Sequence, residues 1–241
     1  MVDSIRDCVV DSARLAPLRE CMGFHDLKEN VDPPADEWKH GLLHPDTVAF
    51  SCGQLMLSGG LQEHNHDPNE LRLCCQLAEE AAQIISGTDV NLSESSSTFE
   101  PFYITANRGA EVPLELTPEF IQLVFCGIIY PQAEVVVQPF QEGNLAWDHF
   151  VVVTDPTEEL KYTAPDDVEE FWEERRQRVG AWQRLFDWFE SREELHGSAY
   201  VMIGVDEPPS DTNRACVFPR LFLAITRSGS LVGICSHAVH T

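Results

Sequence analysis

Leu221-Phe222-Leu223-Ala224-Ile225-Thr226-Arg227-Ser228-Gly229-Ser230-Leu231-Val232-Gly233-Ile234-Cys235-Ser236-His237-Ala238-Val239-His240-Thr241 decides the fold, because two apolar runs of β-type residues flank a short polar turn. Gly229 supplies the positive φ that a tight hairpin loop needs, so the stretch predicts strands over 220–225 and 231–239 joined at 227–230. A strand that runs to Thr241 is expected to present a terminal carboxylate, an anion held by a sheet.

Working upstream from that hairpin, the longest helix is predicted to open at Thr163-Ala164-Pro165-Asp166. It carries Val168, Phe171, Trp172, Val179, Trp182, Leu185, Phe186 and Phe189 on one broad face and mostly Glu and Arg on the other. A strand follows over 199–205, then the loop Glu207-Pro208-Pro209-Ser210. Asp67-Pro68-Asn69-Glu70 gives the clearest start signal, an N-cap with Pro at the first helical position and Glu at the third. Leu71, Cys74, Cys75, Ala78, Ala81, Ala82 and Ile85 follow at helical spacing until Gly87 stops the helix. A polar loop, Ser93 to Thr98, feeds an aromatic strand ending near Ile104; Thr117-Pro118-Glu119 opens a short helix that ends near Gly127, and 133–137 reads as a strand. The segment Asp148 to Val153 fits either a strand or a short helix.

Residues before Asp67 have a different character. They predict a helix near 3–22, a break at Pro33-Pro34 and a strand pair around 47–57, with no chemical motif. The chain is therefore divided into an N-terminal extension of unknown role, 1–66, and a layered domain, 67–241. Helices laid on a largely antiparallel sheet make the expected class α+β.

Composition narrows the function. The formal net charge is −24, from 40 acidic against 16 basic residues. Such a field repels polyanions and attracts basic surfaces, so direct nucleic-acid binding is not expected, while attraction to a basic partner and simple solubility both account for the charge. Eight scattered cysteines lack the spacing of a disulfide framework and predict reduced thiols. The start Met1-Val2-Asp3-Ser4-Ile5-Arg6-Asp7 has no leader pattern, and no apolar run approaches a membrane span, so a cytoplasmic protein without membrane association is expected. His64-Asn65-His66-Asp67 is the most metal-like cluster, yet it lacks a second ligand pair at the spacing a zinc site needs and reads as a loop. With no nucleophile elbow, P-loop or dinucleotide fingerprint either, an enzyme is not indicated and neither a cofactor nor a metal of its own is expected.

Ser93-Glu94-Ser95 followed by Phe99-Glu100, and far downstream a hairpin with Gly229 and Gly233 closing on Thr241, resemble the nuclease A inhibitor family. These are protein inhibitors of sugar-non-specific endonucleases, and the resemblance covers roughly 68–241. It departs from the family at Ser96-Ser97-Thr98, where an acidic residue, Tyr and Pro are usual, and at His240, where Glu is usual. The resemblance implies a three-layer α/β/α sandwich of PR-1-like kind. It also implies an acidic inhibitor that occludes a partner's metal-centred active site with Glu94 and with the hydroxyl and carboxylate of Thr241. Ser93 and Ser95 would shape the loop, and Trp172 lies where family members carry an aromatic that contacts the nuclease. Two other classes fit the same residues: an interaction or scaffold protein that keeps the fold without the inhibition, and, more remotely, a hydrolase using acidic side chains and a bound metal.

Overall fold

The computed structural model describes residues 9–22, 43–44, 46–57, 67–87, 98–129, 133–140, 164, 167–204 and 216–240. Among them are four helices, α1 (Ser12–Met22), α2 (Pro68–Ile85), α3 (Pro118–Val124) and α4 (Val168–Ser191). Seven strands complete the set: β1 (Thr47–Ala49), β2 (Leu55–Leu57), β3 (Glu100–Ile104), β4 (Val135–Pro139), β5 (Leu195–Ile203), β6 (Cys216–Thr226) and β7 (Leu231–His240). The chain is mixed α+β, with two antiparallel sheets: the hairpin β1–β2 and a five-stranded sheet ordered β3-β7-β6-β5-β4.

The β6–β7 hairpin forms as its sequence dictates. Thr226 N donates to Ser230 O (2.8 Å), Gly229 N donates to Thr226 O (2.9 Å), and Gly229 has φ 88°. Gly233 has a separate cause. A Cβ there would lie 1.8 Å from the carbonyl oxygen of Phe222, the residue before its ladder partner Leu223, so only glycine fits.

Alternation along the strands sends side chains to two cores. Leu221, Leu223 and Ile225 of β6 face one way, packing with Leu18 of α1, Ala49 and Leu55 of the small hairpin, and Ile121 and Phe125 around α3. Phe222 and Ala224 face the other way, into Cys74, Leu77, Ala78, Ala81 and Ile85 of α2 and Trp182, Leu185, Phe186 and Phe189 of α4. A bulge between His196 and Ala199, with Gly197 at φ 61°, shifts the alternation in β5. Leu195 therefore joins the α2–α4 side while Ala199 and Val201 join the other.

Helices α2 and α3 start where their caps are read. Asp67 accepts from Asn69 N (2.9 Å) and Thr117 accepts from Phe120 N (3.2 Å), each followed by a proline. Four starts differ from the sequence reading. The first helix begins at Ser12 rather than near 3, because Val10 is held in a bridge to Phe50. Helix α4 begins at Val168, after an Asp167 that makes no side-chain cap bond, and Thr163, Pro165 and Asp166 lie outside the described residues. Strands β5 and β6 start four residues earlier than predicted, at Leu195 and Cys216. The segment 148–153 lies outside the described residues.

The described part of the N-terminal extension is not a separate body. Leu18, Leu43, Ala49 and Leu55 are buried in the same cluster as Leu221 and Leu223. Thiols are found at Cys74, Cys75 and Cys126, but Cys52 is disulfide-bonded, which corrects the expectation of reduced thiols at that position. No described helix is long and apolar enough to cross a membrane.

Candidate functional site

Of the residues singled out by sequence, Ser93, Glu94, Ser95 and Thr241 lie outside the described residues, as do His64 and His66. Trp172 is described. Strands β3 and β7, which follow Ser93–Ser95 and precede Thr241 in the chain, are described too, and their topology is informative.

β3 runs antiparallel to β7, with Glu100 opposite Cys235 and Ile104 opposite Leu231. The entrance to β3, just after the Ser-Glu-Ser loop, therefore lies on the same end of the sheet as the exit of β7, just before Thr241. These two ends, far apart in sequence, belong to neighbouring strands. The hairpin turn 227–230 sits at the opposite end.

α4 points its first turns toward the loop end. Its last residues are at the turn end, where Arg227 N donates to Glu194 O (3.1 Å). Midway, Trp182 meets Phe99, the residue before β3, edge-on at 5.5 Å, and Phe222 at 4.7 Å. Trp172 lies about 15 Å of helix axis before Trp182, further toward the loop end. It is half-buried, with its ring edge-on to Phe171 at 5.5 Å, so it belongs neither to the sealed core nor to open solvent. Beside it Glu173, exposed, is held below the usual carboxylate range by hydrogen bonds first from Arg176 and then from Gln177. Glu169, Glu170 and Glu174 are exposed on the same turns, so this end of α4 is strongly anionic.

At the turn end the structure brings together a buried polar group that local sequence reading missed. Glu70, in the first turn of α2, looks like a capping-box residue. Its carboxyl instead accepts from the hydroxyl of Thr226 on β6 and from Cys74 Sγ (3.7 Å). Ser230 N donates to Thr226 Oγ1 (3.1 Å), and Ala106 N donates to Ser230 Oγ (3.0 Å). Thr226 and Ser230 are fully buried and Glu70 is nearly so. Only the placement of the acid at the third helical position hinted at this group; its partners are remote in sequence.

A thiol, two hydroxyls and a carboxyl in one place invite a catalytic reading, and the electrostatics oppose it. Burial, and next the charge of Glu70, push the Cys74 thiol far above its ordinary value. A nucleophilic cysteine needs the opposite shift and some access to solvent. Tyr103 is raised in the same sense, by burial first and then by its hydrogen bond with Cys75. The network ties α2 to the hairpin and to the exit of β3.

Among the described residues no group of three or more His, Cys, Asp or Glu is arranged to hold a metal ion. A groove of about 380 Å³ runs between Gln54, Ile104 to Asn107, Phe120, Leu123 and Val124. Its walls are mostly aliphatic or amide, with Glu111 the one titratable side chain on them. Such a lining has shape but no acid–base pair. No protein-family model matches the chain, and no curated protein matches it. The family resemblance rests on the quoted residues and on the order of elements around them.

Proposed function

We propose that the chain is an acidic protein inhibitor that binds a metal-dependent, sugar-non-specific endonuclease and occludes its active site. Glu94 and Thr241 are the occluding groups, Ser93 and Ser95 shape the loop around Glu94, and Trp172 flanks them from α4. The observation that supports this reading is the β3–β7 pairing, Glu100 opposite Cys235, which puts the entrance of β3 and the exit of β7 at the same end of the sheet. A divalent ion that polarises a phosphate in the partner also accepts a carboxylate oxygen, so an anion delivered there competes with substrate. The anionic first turns of α4 lie toward that end and favour approach by the basic cleft of a nuclease.

In this reading the sheet and its covering helices form a three-layer α/β/α sandwich of PR-1-like kind, and 67–241 is the inhibitory domain. The protein acts by stoichiometric blockade without turnover, cofactor or bound metal of its own, and contacts neither nucleic acid nor membrane. A cytoplasmic location belongs to the same proposal; the disulfide at Cys52 weighs against it, since a reducing cytosol opposes such bonds.

The test is a titration of a purified Mg²⁺-dependent, sugar-non-specific endonuclease with the wild-type chain and with a form carrying a few added residues after Thr241. Stoichiometric inhibition by the first and its loss in the second, at unchanged melting temperature, is expected. Equal inhibition by both forms rejects the role of Thr241, and failure of the wild-type chain to bind such a nuclease favours the scaffold alternative.

A further inference from the structure

Cys52 is disulfide-bonded and fully buried, and Cys74, Cys75, Cys126 and Cys235 are thiols, so its partner is Cys8, Cys21 or Cys216. A disulfide needs its two Cα atoms within about 7 Å of one another. The backbone around Cys52 separates the three on that limit.

Cys52 belongs to the turn 50–53, which sits on the exit of β3. Its carbonyl oxygen accepts from Thr105 Oγ1 (2.7 Å), and Ser51 O accepts from Tyr103 Oη (3.2 Å). Gly53 packs so closely that a Cβ there would lie 2.3 Å from the Tyr103 carbonyl oxygen. The Arg14 guanidinium of α1 covers the Tyr103 ring at 3.6 Å. Thr105 follows Ile104, which is opposite Leu231 and, through it, Ile225. Cys216 opens β6 opposite His240, so about 30 Å of strand separates it from that end of the sheet.

Cys21 is remote as well. Asp11 N donates to Ala49 O (2.9 Å), which sets the start of α1 beside the turn. Arg19 Nη2 donates to Thr47 O (3.3 Å), which sets the later part of α1 beside the start of β1. The helix therefore runs away from Cys52, and Cys21 lies about 14 Å of axis beyond Ser12.

Position 8 is near. Val10 bridges antiparallel to Phe50, flanked by bonds from Asp11 N to Ala49 O and from Ser51 N to Val9 O, both 2.9 Å. These bonds make Val10–Phe50 a non-hydrogen-bonded pair and Val9–Ser51 the bonded pair beside it. Val9 N donates to Ser51 Oγ (3.2 Å). Continued by one residue, the register sets position 8 against Cys52 in the next non-hydrogen-bonded pair. Such pairs hold their Cα atoms about 4.5 Å apart with side chains at their closest, inside the range a disulfide spans. Cys8 itself lies outside the described residues.

We propose that Cys8 is the partner of Cys52, and that the bond is a clasp fastening the first residues of the chain to the turn on Tyr103 and Thr105. As the S–S bond forms, each thiol gives up one proton and one electron. A small disulfide of the glutathione class takes up both and leaves as two thiols. The clasp gives the N-terminal extension a role that is independent of nuclease inhibition.

The experiment treats the full-length chain with oxidised glutathione, blocks remaining thiols with N-ethylmaleimide and digests with trypsin in the absence of reductant. Cleavage after Arg6, Arg14, Arg19, Lys39 and Arg214 puts Cys8, Cys21, Cys52 and Cys216 on different peptides. A link between the Cys8 and Cys52 peptides within one chain is expected. A link from Cys52 to Cys21 or Cys216, a link between two chains, or a chain blocked at every cysteine overturns the pairing. Reduction is then expected to lower the melting temperature of wild type by about 5–15 °C. It should also speed exchange of the Ser51 amide, whose acceptor is Val9 O. Cys8→Ser should melt with reduced wild type and not respond to reductant, and Cys21→Ser should keep both the link and the shift. Wild type that melts and exchanges alike when oxidised and reduced overturns the clasp, a comparison that stands whether or not Cys8→Ser folds.

Discussion

Phe222 and Leu223 are consecutive on β6 and face different surroundings. Phe222 lies among Trp182, Phe140, Tyr200 and Phe186, ring against ring, under two helices with clear starts or faces in the sequence. Leu223 lies among aliphatic side chains drawn from Leu18, Leu43, Leu55, Ile121 and Ile129, short pieces of chain that come from both sides of Asp67. The first face is built by long elements that each bury a continuous stripe. The second is assembled from fragments, none of which would be stable by itself.

The largest effect expected from this contrast is that of removing residues 1–66. Three buried leucines, Leu18, Leu43 and Leu55, leave the second face with them. At about 1.5–3 kcal/mol each, their loss rivals the total stability of about 5–15 kcal/mol typical of a domain. The fragment 67–241 should keep far-UV helical signal while losing near-UV signal and a cooperative melt. A sharp melt within a few degrees of the full chain breaks the comparison and establishes 67–241 as an autonomous domain.

Next in size is Trp182→Ala on the aromatic face, expected to lower stability by about 3–5 kcal/mol in denaturant titrations. A loss below about 1 kcal/mol would mean that the neighbouring rings collapse into the space. Thr226→Val removes the buried hydroxyl that donates to Glu70 and supports Ser230 N. It should cost about 1–3 kcal/mol, and a neutral result would show that Glu70 finds another donor. Smallest in stability is Glu94→Gln, expected to shift the melt by less than about 0.5 kcal/mol. The same change should weaken nuclease binding by about 1.5–3 kcal/mol, the size of a charge-assisted bond, and unchanged inhibition rejects the role of Glu94.

Helix starts were legible on both faces, that of α2 under the aromatic face and that of α3 under the aliphatic one. Asp67-Pro68 and Thr117-Pro118 mark helix starts by a local mechanism, an oxygen accepting a nearby N–H, and local mechanisms can be read in a single chain. α1 has almost no apolar periodicity, so its packing against the sheet left no pattern to read. The sequence places the start of α4 too early because Thr163, followed by Pro165 and Asp166, looks like a cap, whereas the residue at its actual start, Asp167, makes no side-chain bond to the helix. Glu70 was read as part of a cap because its partner on β6 is visible only once the sheet has formed. The candidate site was legible in another sense: Glu94 and Thr241 were found by resemblance to a family. That β3 enters and β7 leaves at one end of the sheet follows from strand pairing, which neither strand encodes alone.

The order in which the chain is synthesised gives the position of β7 a further meaning. β7 lies between β3 and β6, so β3 has no strand to join until residues 231–235 exist. More than a hundred residues separate Ile104 from its partner Leu231. At a ribosomal pace of about 5–20 residues per second, that is roughly ten seconds of waiting. During that interval the aromatic strand waits without β7, and the cover already made is α2 together with the pieces bearing Arg14 and Gly53, all of which precede it in the chain.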